Sequence, residues 1–143
     1  MRSILQLLSV LVLALFASIW IWIGIKLLSF HPSRQTPVLT FTEPQVTVAG
    51  FLASAVGAGT ASILGIEIQK VNGQNTLVAQ VNQAATNSGL LTFGILLYAA
   101  VGIFVLMVWV FSSNASPDMV GAFSLGVLGW LGGALAAVFR KTA

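Results

Sequence analysis

The sequence contains no cysteine, which excludes disulfides, thiolate metal sites and cysteine nucleophiles. Charge is almost as scarce. Only 6% of the residues are Asp, Glu, Lys or Arg, against about 25% in a soluble domain. Six basic and three acidic side chains cannot cover a water-soluble globule of this length. Carboxylates are the scarcest of all, with Glu43, Glu67 and Asp118 the complete set. A proton or ion relay places ionisable groups within the membrane, and a nucleic-acid binder shows a basic stripe. Neither pattern occurs here.

What remains is apolar. Hydrophobic residues make up 57% of the 143, and lipid is the solvent that suits them. A helix crosses the hydrocarbon core with about 20 mostly apolar residues. The sequence predicts an all-α integral membrane protein, a single membrane domain over 1–143 with four transmembrane helices, at 3–28, 46–66, 90–111 and 119–139. The first run follows Met1-Arg2 like a secretory leader. It is much longer than the 7–15 apolar residues typical of one, and bulky Leu15 stands where a cleavage site needs a small residue, so it reads as an uncleaved anchor. The second run is the weakest, diluted by Ala, Gly, Ser and Thr.

Charge placement decides for four spans. With both termini inside, Arg2, Lys70, Arg140 and Lys141 lie in the cytoplasm and Lys26 and Arg34 outside. With three spans, only Arg2 stays inside. Basic residues favour the cytoplasmic face, so the expected topology is N-in/C-in. It gives an external loop at 29–45, a cytoplasmic loop at 67–89 and a short external loop at 112–118. The expected location is the cytoplasmic (inner) membrane of a bacterium. Trp20, Trp22 and Trp109 map toward the outer ends of their helices, where indoles prefer the headgroup region; they are read as interfacial anchors. Trp130 falls midway along its span.

The helix boundaries carry local signals. Thr42-Glu43-Pro44 opens the second helix, with Glu43 facing its N-terminal dipole. Ser116-Pro117-Asp118 opens the fourth as N-cap, first-turn proline and first-turn acid, and Arg140-Lys141 suits its C-terminus. Asn87-Ser88 caps the third. Between prolines in the first linker, 37–42 alternates enough for a short extended segment. In the second, 66–69 and 76–79 flank a turn signal at 71–74 and pair as a hairpin, or Leu77, Val78, Val81 and Ala84 form the apolar face of an interfacial helix.

Motifs for chemistry fail on context. His31 has no second imidazole or thiolate near it in sequence for a metal site, and no serine–acid constellation. Glu43 and Asp118 share the outer rim, where helix capping accounts for both. Gly57-Ala-Gly59-Thr-Ala-Ser62 resembles a nucleotide-binding glycine fingerprint but lies inside an apolar span, without the strand–turn–helix setting that chemistry needs. Asn114-Ala-Ser116 fits the glycosylation triplet, in a loop that hugs the membrane and is followed by Pro117. No catalytic, metal or cofactor-binding residue is expected.

The informative pattern is steric. Ala49, Ala53, Gly57, Ala61 and Gly65 recur every fourth residue, with Gly50, Ser54, Ala58 and Ser62 as a second row beside them. The fourth span repeats the device with Gly129, Gly133 and Ala137, flanked by Gly132 and Ala136. Such spacing keeps small residues on one face, where backbones can approach closely inside a bilayer. The packing partners expected are the second helix for the fourth, a second copy of the chain, or a larger membrane complex. Three functions remain open: a non-enzymatic accessory or structural membrane subunit, which the sequence favours; a holin-like oligomer that permeabilises the membrane; and a small channel or transporter component. The last would call for intramembrane charge, broken helices or inverted repeats.

Overall fold

A computed structural model describes residues 2–71, 88–112 and 114–142. The described residues form four helices and no strand: α1 (Arg2–Leu28), α2 (Glu43–Val71), α3 (Ser88–Ser112) and α4 (Asp118–Thr142). The helices contain 27, 29, 25 and 25 residues. At 1.5 Å per residue, each is at least about 37 Å long, more than the ~30 Å of a bilayer core. Three helices are apolar as well as long enough to cross a membrane, over Ser3–Leu28, Thr92–Ser112 and Asp118–Arg140. The chain is therefore an all-helical protein with membrane-spanning character.

Side-chain contacts fix the directions of the helices. Leu13 of α1 lies against Gly94 of α3 and Phe104 of α3 against Gly24 of α1, so these two helices run parallel. Val127 of α4 lies against Gly102 and Trp109 of α3 against Gly121, so α3 and α4 run antiparallel. Trp20 meets Ala49 while Val12 and Leu13 face a crevice shared with Val56 and Thr60, which makes α1 and α2 antiparallel. The result is an up-down-up-down bundle. In cross-section α3 packs most extensively, on α1 and on α4, and α2 closes the opposite side.

The core sits toward one end. Phe16, Trp20, Ile23 and Leu27 are buried from α1, with Val120, Phe123 and Val127 from α4 and Val101, Val105 and Val108 from α3. The positions 16, 20, 23 and 27 repeat with the helical period, so one stripe of α1 faces inward. At the other end Ile4, Leu7 and Leu8 of α1 and Leu135, Val138 and Phe139 of α4 are exposed. The described core is thus densest at the end carrying the 29–42 and 114–117 connections, and α1 and α4 are exposed toward their other ends.

The tight end is tied by its loops. Leu39 donates its main-chain N–H to the Ala115 carbonyl at 3.0 Å, joining the two connections. Leu39 and Phe41 pack on the core, and Phe41 meets the Trp22 ring. Ser33 and Thr36 bond to each other through hydroxyls (2.8 Å) and main chain, which closes a local turn. The expected extended segment at 37–42 is irregular rather than strand, because its backbone pairs at one point only.

The helix ends refine the sequence reading. At α2, Gln45 accepts the Thr42 main-chain N–H through its side chain, the return half of a capping box, and Glu43 sits in the first turn. The helix then continues to Val71, past the expected end at 66. The hairpin reading is corrected there, since 66–69 are helical. The other arm of that hairpin, and the alternative helix face at 77–84, lie outside the described residues. α4 starts at Asp118, with Pro117 accepting the Val120 N–H. α3 starts at Ser88; Asn87 lies outside the described residues.

Candidate functional site

The small-residue face of α2 divides into parts with different surroundings. Ala49 is fully buried, and its carbonyl accepts the Trp20 indole N–H at 3.2 Å. Ala53 is half-buried against the core. Gly57 lies beneath Tyr98, whose hydroxyl oxygen would stand 2.9 Å from a Cβ at that position. Here a small residue is required by a close approach, and the neighbour is α3. Ala61 and Gly65 continue the helix, but their surroundings lie outside the described residues.

On α4 the row behaves differently. A Cβ at Gly126, Gly129, Gly132 or Gly133 would meet nothing within 4 Å, and the same holds for Gly50 and Gly59 of α2. Ala136 is exposed, and the side chain of Ala137 lies outside the described ones. The expected meeting of α2 and α4 takes the form of a shared groove rather than a tight seam. Its walls are Gly50, Ser54 and Ala58 on one side and Met119, Ala122 and Gly126 on the other; Trp20, Tyr98 and Phe123 form the floor. The groove holds about 470 Å³.

Beside Gly57, three further close glycine contacts inside the bundle occur, among the described residues, at positions outside either row. Gly24 receives the edge of the Phe104 ring, Gly102 both methyls of Val127 at 2.8 Å, and Gly121 the Trp109 indole nitrogen at 3.2 Å. Isolated glycines carry no repeat signal, so spacing alone overlooks them.

The tryptophans separate by two residues of sequence. Trp20 is fully buried and stacks on Phe123 at 4.0 Å, so its indole lies inside the bundle and not on its surface, contrary to an anchor. Trp22 is 40% exposed, with the Lys26 ammonium 4.9 Å above its ring, a geometry suited to a surface cation–π pair. Trp109 is half-buried against Gly121. Trp130 stands edge-on to Tyr98 at 5.2 Å.

The polar atoms inside the bundle are few. Thr60 returns its hydroxyl to the Gly57 carbonyl at 3.0 Å. The Ser124 hydroxyl and the Trp130 indole N–H are buried with no hydrogen-bond partner. Tyr98, the only tyrosine of the chain, is 4% exposed, and its hydroxyl makes no hydrogen bond to a described residue. Composition does not mark these residues; a lone tyrosine in an apolar span is the one signal that could have. Among the described residues no group of three His, Asp or Glu could hold a metal. Glu43 and Asp118 begin α2 and α4 at the tight end, and His31 bonds its own loop through the Ser29 carbonyl.

No family model, curated protein or solved structure matches the chain. The fold and these surfaces are what define its class: a helical bundle with three helices long and apolar enough to cross a membrane, an aromatic core, and small-residue surfaces left open on α2 and α4.

Proposed function

We propose that this chain is a non-enzymatic accessory or structural subunit of a bacterial cytoplasmic membrane, with four spans and both termini inside. Its open small-residue face on α4 receives a helix of a partner complex or of a second copy. One observation carries the reading. Gly126, Gly129, Gly132 and Gly133 have free space where a Cβ would stand, so nothing among the described residues requires them to be glycine. Each costs helix stability of up to ~1 kcal/mol relative to alanine. A neighbouring backbone arriving from outside supplies the reason, since small residues allow helices to approach within a bilayer. As a fourth span, α2 has the length of its neighbours and runs beside α1 and α4. The filled centre, with Phe123 packed on both Phe16 and Trp20, favours a packing role over a pore through one bundle.

The natural absence of cysteine provides the test. Single variants Gly129→Cys and Gly133→Cys in native membranes should form a disulfide-linked dimer, or a mixed adduct when a cysteine-bearing partner is present. A disulfide needs Cα atoms within about 7 Å. Leu96→Cys, on a 63% exposed position of α3, should give none. Equal cross-linking at all three positions, or none at any, removes the docking reading.

A further inference from the structure

We propose that the groove between α2 and α4 binds a membrane-soluble quinone, with the Tyr98 hydroxyl donating to a ring carbonyl. The inference rests on the four-span reading proposed above and on Tyr98, and is independent of what docks at Gly129 and Gly133.

The Tyr98 hydroxyl is held in place but unused. Its ring is fixed between Phe16 at 5.7 Å and Trp130 at 5.2 Å, and its oxygen is pressed toward Gly57 on the groove wall. The groove opens sideways between two helices, so on a spanning bundle its mouth faces acyl chains. Tyr98 lies ten residues into α3, about 15 Å along the helix axis, near the middle of a ~30 Å core. Phospholipid esters and headgroups lie outside that core. A neighbouring helix offers only carbonyls that already serve its own backbone, as Ala49 does where it also accepts the Trp20 indole, whereas a quinone brings a free acceptor deep into hydrocarbon.

The shape of the groove narrows the choice. Its ~470 Å³ lies within the 300–1,000 Å³ typical of small-molecule sites, which are mostly apolar with a few placed polar groups. Gly50, Gly57 and Gly126 leave its walls low, and Phe123, with the buried Trp20 stacked behind it, gives it an aromatic floor. A flat ring can lie against such a floor, where ring pairs are favourable beyond their buried area. A phenol is a better donor than acceptor, and a ring carbonyl is its natural complement. The alkyl tail leaves through the open side into lipid. Binding alone is proposed, with no electron transfer.

The test uses the full chain in lipid nanodiscs, decyl-ubiquinone as the probe, and tryptophan fluorescence as the readout. Saturable quenching is expected, because Trp20 lines the site. Ala122→Phe places a ring in the groove from an exposed wall position and should abolish the saturable component while leaving the fold intact by circular dichroism. Tyr98→Phe keeps the ring contacts and should weaken binding roughly 3- to 10-fold, the loss of one hydrogen bond. Quenching that rises linearly with quinone in the wild type would show partition into lipid only and overturn the proposal. So would saturation unchanged by Ala122→Phe, or equal affinity in Tyr98→Phe. Saturation that disappears when the chain dimerises would assign the groove to a second copy instead, and also overturns it.

Discussion

Trp20 of α1 donates its indole N–H to the main-chain carbonyl of Ala49 in α2, at 3.2 Å and fully buried on both sides. The bond crosses from the first helix to the second at the level where Trp20 also stacks on Phe123 of α4. One side chain thereby joins three helices. This contact also explains why Ala49 must be small: a larger residue would hold the indole away from the carbonyl.

Trp20→Phe should therefore destabilise the bundle by about 1–3 kcal/mol, combining a lost interhelical hydrogen bond with the space left by a smaller ring. Trp22→Phe, two residues on and 40% exposed, should stay within about 0.5 kcal/mol of wild type. Thermal unfolding in mild detergent, followed by near-ultraviolet circular dichroism, separates the two. Equal losses would mean that Trp20 is not the joint described.

That contrast shows what sequence could and could not convey. The apolar runs located all four helices, and the signals at Thr42-Glu43-Pro44 and Ser116-Pro117-Asp118 set two of their starts. Inside and outside were harder. In water, hydrophobic periodicity separates the core face from the solvent face; in lipid both faces are apolar, so Trp20 and Trp22 look alike by composition. The stripe through Phe16, Trp20, Ile23 and Leu27 becomes visible only with neighbours in place. Glycine spacing had the same limit. It identified Gly57 and Gly129 as equivalents, yet one lies beneath Tyr98 and the other beside empty space. The end of α2 at Val71 was not legible, because the apolar stretch stops at Ile66 while backbone pairing continues into the polar residues after it.

The glycines give opposed predictions. At Gly102 a Cβ would meet both methyls of Val127 at 2.8 Å. Valine is held to nearly one rotamer in a helix, so α3 and α4 must move apart, and Gly102→Ala should cost about 1–3 kcal/mol. At Gly129 the added methyl enters open space, and Gly129→Ala should stabilise an isolated monomer by up to ~1 kcal/mol through helix propensity. Unfolding of the two variants in detergent at monomer concentrations measures both signs. If Gly129→Ala proves as costly as Gly102→Ala, α4 is packed within the chain and its open face does not exist.

Topology is the remaining prediction, and the bundle sharpens it. The 29–42 and 112–117 connections meet through the Leu39–Ala115 bond, so they must lie on the same side of any membrane the bundle crosses. Arg2 and Arg140 belong to the opposite ends of α1 and α4, and cytoplasmic faces gather such basic residues. Reporter fusions at Pro37 and at Asn114 should therefore both read external, and one after Lys141 should read cytoplasmic. Asn114 is exposed, so accessibility there does not depend on unfolding. Reversal of all three would keep the bundle and invert it, which overturns only the orientation. A split result, with Pro37 and Asn114 on different sides, would mean that α2 does not cross, and the four-span proposal would fall with it.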